Sequence, residues 1–141
     1  TTNGRTGMSF IGKWIKAKCD ASADLLALVP ARVYPVVSYQ KEEQDVLAEI
    51  VWHQKITSAD PNKTQRLSQY RCEVSFKIWA KTYDELDPID NALQDALDFG
   101  EGTAGGITVV SAEWQNGEDA FDETTQLFCR VSNFLFKVKR T

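Results

Sequence analysis

The chain has 141 residues, of which 43% are hydrophobic and 26% charged, with a net charge of −4. A domain of this length buries roughly 68–70% of its unfolded surface, so folding needs neither a disulfide nor a metal. No apolar run approaches the ~20 residues of a membrane span, and no basic stripe is present that would grip a phosphate backbone.

The polar, glycine-containing start through residue 8 is expected to be a flexible leader, processed or left over from expression, with one domain over residues 9–141; Met8 is the sole methionine. Ser9 to Lys18 reads as a helix that Ser9 could cap, with Phe10, Ile11, Trp14, Ile15 and Ala17 near one face. Asp20-Ala21-Ser22 breaks it, a short helix follows over Ala23–Leu28, and Pro30 ends that one. Arg32-Val33-Tyr34-Pro35 has the composition of a short strand, and Gln40 to Asp45 that of a charged loop. Leu47 to Ile56 returns to strand chemistry. From Tyr70 to Ala80, Tyr70, Cys72, Val74, Phe76, Ile78 and Ala80 alternate with Arg71, Glu73, Ser75, Lys77 and Trp79. That period of two predicts a strand with one buried and one wet face. A hairpin with a long tip, turning at Asp60-Pro61-Asn62, joins the two strands.

At Asp87-Pro88 the period changes to that of a helix. Asp87 suits the N-cap and Pro88 the first helical position. Ile89, Ala92, Leu93, Ala96 and Leu97 make its apolar stripe, Asp87, Asn91, Asp95 and Asp98 its far face, and Gly100 its end. Gly102 to Gly106 reads as a small-residue loop and Ile107 to Gln115 as a strand. Asn116-Gly117 is a hairpin-turn signal, which makes Glu118 to Glu123 an acidic tip. In the last strand, Gln126 to Lys139, Leu127, Cys129 and Val131 give way to Phe134, Phe136 and Val138, a change of phase that predicts a bulge near Ser132-Asn133. The whole is α+β: a mainly antiparallel sheet with N-terminal helices and one further helix packed on one face.

The search for chemistry yields little. His53 is the single histidine, and no Ser or Cys motif near it supplies a nucleophile or an orienting group. No P-loop, G-x-S-x-G, H-E-x-x-H or C-x-x-C is present. Cys19, Cys72 and Cys129 are odd in number and irregularly spaced, which reads as buried reduced thiols from a reducing cytoplasm rather than a disulfide framework. The acids at Glu118, Asp119, Asp122 and Glu123 lack the spacing of a calcium loop and read as solvated. No catalytic, cofactor or metal residue is therefore assigned.

Two features point to contacts instead. Trp79 sits on the polar face of its strand beside Lys77, and large aromatics on polar faces are enriched at protein interfaces. Charge is also divided: residues 1–82 carry 12 Lys/Arg against 8 Asp/Glu, and residues 83–141 carry 4 against 12. Candidate contact residues are Trp79, Trp52 and the hairpin tip Asp60, Pro61, Asn62 and Lys63.

Leu25-Leu26-Ala27-Leu28-Val29-Pro30 leading into Ala31-Arg32-Val33-Tyr34-Pro35, then Cys72 to Tyr83, then the helix Ile89 to Leu97, resembles the small tail-completion, or tail-terminator, proteins of long-tailed bacteriophages. The resemblance covers roughly residues 22–99 and, more loosely, the closing strands. It departs at Asp45-Val46-Leu47, where family members usually have a proline ahead of the second strand. The resemblance implies a virion structural protein, made in the host cytoplasm, with no catalytic residues and no cofactor. It implies a homo-oligomeric ring, typically of six, that caps the tail tube protein and meets the head-tail connector protein. DNA would pass through the ring without sequence-specific binding, and no membrane is involved. Asp95, Asp98, Glu118 and Asp119 are the candidate acids bordering the lumen, since phosphate attraction needs Lys/Arg. The alternatives are another head-tail connector component, a stopper or neck protein, or a small α+β enzyme or ligand-binding module.

Overall fold

The computed structural model describes residues 11–29, 33–35, 48–58 and 69–140. The expected leader, the Ser9 cap, Phe10, Pro30, Arg32, the loop at residues 40–45, the departure at residues 45–47 and the tip residues Asp60, Pro61, Asn62 and Lys63 lie outside them.

Three helices, α1 (Gly12–Asp20), α2 (Ala23–Leu28) and α3 (Leu86–Leu97), accompany six strands: β1 (Val33–Pro35), β2 (Glu49–Ser58), β3 (Gln69–Ala80), β4 (Gly102–Ala104), β5 (Ile107–Asp122) and β6 (Leu127–Arg140). The strands form one sheet in the order β1-β2-β3-β6-β5-β4. Only β1 and β2 run parallel. The fold class is α+β, as the periodicities predict.

The even-numbered residues of β2, β3 and β6 line one face, because Trp52 sits opposite Phe76 and Val74 opposite Phe134. The helices cover that face. The Trp14 ring of α1 meets Phe136 edge-on at 5.4 Å, and Phe76 meets Phe134 likewise at 5.4 Å. Ile89, Leu93 and Leu97 carry α3 into the same core. Each large side chain so buried contributes roughly 1.5–3 kcal/mol.

Several elements begin, end or bend elsewhere than expected. α1 starts at Gly12 behind Ile11. α3 is entered through a 3-10 turn, Tyr83–Glu85, held by a Thr82/Glu85 capping box, so Asp87 and Pro88 fall inside the first turn rather than at the cap. With the helical path begun at this box, Asp87 already lies inside the first turn and has no capping position to fill. The helix ends at Leu97, and Phe99, not Gly100, takes the left-handed conformation at φ 61° while its N–H bonds the Ala112 carbonyl. Gly102–Gly106 is not a plain loop. Gly102–Ala104 pairs with β5, and Gly105 (φ 62°) and Gly106 (φ 82°) form the two-residue turn, a conformation open to glycine at little cost.

The largest correction concerns Asn116-Gly117. It makes no hairpin: β5 runs through it to Asp122, and the turn lies at Glu123–Gln126. There the Asp122 carboxylate accepts from the Thr124 N–H (3.1 Å) and the Thr125 hydroxyl (2.9 Å), and Gln126 supplies the positive φ. Glu118 and Asp119 are thus strand residues on opposite faces, not tip residues. The expected bulge also moves strands. Register shifts lie in β5, at Val110 and at Gln115, while β6 runs regularly through Ser132-Asn133. The apparent change of phase in β6 is chemical: Arg130 and Ser132 occupy helix-side positions that continue the series Phe134, Phe136, Val138.

Candidate functional site

Two polar residues on a core face need partners, and α3 and β5 supply them. Arg130 Nε donates to Asp119 Oδ1 at 2.6 Å and Nη2 to Asp119 Oδ2 at 3.2 Å, a two-pronged pair across β5 and β6. Nη1 donates to Asp87 in the first turn of α3 and lies 3.7 Å from Asp90 Oδ2. Ser132 donates to Asp90, whose other oxygen accepts from Gln94 Nε2 at 3.2 Å. The Trp114 indole N–H reaches Ser132 Oγ at 3.4 Å, and the Tyr83 hydroxyl donates to Asp119 Oδ2 at 2.6 Å. Arg130 also stands 5.9 Å from the Tyr83 ring centre.

The Arg130 hydrogen bonds hold the Asp119 carboxyl below its usual range, with the Tyr83 bond adding to the effect. The same bond from the other side, to Asp119, raises Tyr83. Arg130 is raised by Asp119 first and then by Asp87, against the effect of its burial. The guanidinium is the cation on which these carboxylates converge. The arrangement fastens α3 to strands distant in sequence.

The structure separates the four expected lumen acids. Asp95 is exposed on α3 and Glu118 on the outer face of β5. Asp98 accepts from the Trp114 backbone N–H at 2.9 Å, and Asp119 belongs to the Arg130 cluster. Because Glu118 and Asp119 point to opposite faces, the acids at positions 118 to 123 do not converge. Trp52 is 4% exposed, its ring tilted against Phe76, so core packing alone accounts for it. Trp79 lies half-buried on the outer face beside Cys129, with Val51, Leu127, Val131 and Leu135 also half-buried there. Sequence reasoning missed Arg130, Asp90 and Ser132. Their signal was a polar pair inside an otherwise apolar series.

His53 is exposed on the outer face opposite Ser75. The Ser75 hydroxyl donates to Asn133 Oδ1 at 2.6 Å, and Asn133 Nδ2 donates to Asn116 Oδ1 at 2.7 Å. This row floors a groove of about 450 Å³ between Arg71, Glu73 and Leu135. With its proton given to Asn133, Ser75 is not set up as a nucleophile served by His53. The three thiols are buried, and burial pushes Cys19 and Cys72 up to about 12 and Cys129 up to about 11. They stay protonated at neutral pH and are poor nucleophiles.

No protein-family model matches the chain, nor does any curated protein sequence. Among solved structures it is similar to a chain of the virion of a native gene transfer agent particle. The TM-score is 0.73 at 12% identity, and the match covers 89% of this chain and 91% of that one. The two chains share a fold over nearly their whole lengths.

Proposed function

We propose that this chain is a virion structural protein, a tail-completion or tail-terminator subunit. Copies of it form a ring on the end of the tail tube, stop its growth and meet the head-tail connector. The observation that carries the reading is the fold shared with a virion chain over about nine tenths of both partners, taken with the sequence resemblance over roughly residues 22–99. The chemistry agrees: the main polar cluster braces a helix instead of surrounding a substrate. In this reading the exposed face of α3, with Asp95, borders the channel, where carboxylates let DNA slide without holding it. Trp79 and its half-buried apolar neighbours are the surface that meets a partner.

The test is to image particles assembled without the protein. Overlong or headless tails are expected. Normal virions in its absence end the proposal.

A further inference from the structure

The sheet has an unfinished edge. β4 pairs with β5 only at Ile107–Val109. The end of α3 then covers two more positions, where Phe99 bonds the Ala112 carbonyl and Asp98 the Trp114 N–H. From Asn116 to Asp122, β5 pairs with β6 on one side and with nothing on the other among the described residues. Such an edge presents a row of free backbone donors and acceptors. Beside it stand Tyr83 (47% exposed) and Phe121 (44% exposed), aromatic faces that receive cationic side chains and their alkyl stems.

The charges select the occupant. The carboxylates of Glu118 and Glu123 are exposed here and make no hydrogen bond or ion pair among the described residues, and the Asp122 carboxylate caps the turn. A symmetric pairing of β5 with β5 would set these acids against their own copies, which is destabilising. The opposite end of the same sheet is basic. Lys55, Arg71, Lys137 and Lys139 are exposed on its outer face around one acid, Glu73, which stands opposite Lys55, and Arg71 lies directly opposite Lys137. Lys137 lies six residues along β6 from Val131, the partner of Glu118, or about 20 Å at strand rise.

We infer that the free edge of β5, Asn116–Asp122, is the docking surface for a second copy of this chain, which presents the basic end of its sheet. Two different patches, one at each end of one sheet, make a heterologous contact. Repeated by identical copies, it closes into a ring or runs on as a filament. The inference deepens the ring reading and rests on it only in requiring that copies assemble.

The experiment is light scattering on the purified full chain at about 50 mM and about 500 mM salt, where screening strengthens severalfold. The wild type is expected to assemble beyond a dimer at low salt and to lose mass at high salt. Glu118→Lys/Glu123→Lys and Arg71→Glu/Lys137→Glu are each expected to be monomeric, and their equal mixture to assemble again, because each supplies the patch the other has lost. Unchanged thermal melting shows that the variants fold; Glu118→Gln and Lys137→Gln, with partial loss of assembly, serve if they do not. A wild type monomeric at low salt, reversed variants that assemble normally, or a mixture that stays monomeric overturns the inference. Rings indifferent to the reversals would sink this contact and leave the ring reading standing. Defective tails together with a monomeric wild type would do the same.

Discussion

One strand, β6, lays two different floors beneath the helices. At one end Phe134, Phe136 and Val138 are buried against Trp14 and the α3 stripe. At the other, Arg130 and Ser132 meet Asp87 and Asp90 of α3 and Asp119 of β5. The apolar floor holds the helices down but accepts small sliding, since dispersion contacts are many and undirected. The polar floor has fixed donors and acceptors, so it sets the position of α3 along the sheet. Stability and registry are thereby given to different stretches of the same strand.

The contrast breaks most sharply at the apolar end. Phe136→Ala is expected to cost about 3–5 kcal/mol, as for large core aromatics, and to lower the denaturant midpoint correspondingly. At the polar end, Arg130→Met is expected to cost about 2 kcal/mol, since it leaves Asp119 and Asp90 without their cation, and urea melts would measure it. Ser132→Ala removes the donor to Asp90 and the acceptor for Trp114, for about 1 kcal/mol. Amide exchange along α3 should rise more in this variant than its stability loss alone explains. Were Ser132→Ala to cost as much as Phe136→Ala, the division of labour would be wrong.

pH sharpens the same comparison. Asp119 is held below its usual range by Arg130, so its contribution is present above the ordinary carboxylate pKa of about 4 and is lost as pH falls through its lowered value. Tyr83 is raised by Asp119, so its contribution is present below the ordinary tyrosine pKa of about 10 and is lost as pH rises through its raised value. Melting temperature against pH should therefore fall at both extremes. Asp119→Asn should flatten part of both limbs, and Tyr83→Phe part of the alkaline limb and, to a smaller extent, of the acid limb, because the Tyr83 bond also lowers Asp119. The smallest effect is expected outside both floors: Trp79→Phe on the outer face, which keeps an aromatic ring over its half-buried neighbours, should shift stability by roughly 0.5 kcal/mol in the free chain. A large loss there would mean that Trp79 is a core residue instead.

The sequence was legible where one rule governed a segment. α2 spans Ala23–Leu28, after the expected break at Asp20-Ala21-Ser22, and the alternation from Tyr70 to Ala80 matches β3 with its buried face. It misled where local chemistry and long-range pairing disagree. Asn116-Gly117 is a turn by itself, but β6 is long enough to pair with β5 from Ile107 to Asp122, and Asp122 with Gln126 builds the turn further on. The same disagreement hid the Arg130 cluster. Helix-side polar residues look like a slipped strand until α3, more than 40 residues away in sequence, brings its aspartates over them. Asp87 looked like a cap for a related reason, since the Thr82/Glu85 box that relieves it of that duty lies one turn earlier.

A single inserted residue decides which acids belong to which side of the molecule. Gln115 is the extra member of β5 between Trp114 and Asn116. Were Gln115 drawn into regular pairing instead of bulging out, everything downstream would invert, because neighbouring strand residues face opposite ways. Asp119 and Phe121 would swing away from Arg130 and Phe128, and Glu118 and Ala120 would swing under the helix in their place. The guanidinium would then be offered an alanine methyl and a misplaced glutamate, and the acidic rim would change hands. Deleting Gln115 itself would leave every pair in place, so an inserted residue near this position should be more damaging than the loss or substitution of Gln115, whose side chain is exposed.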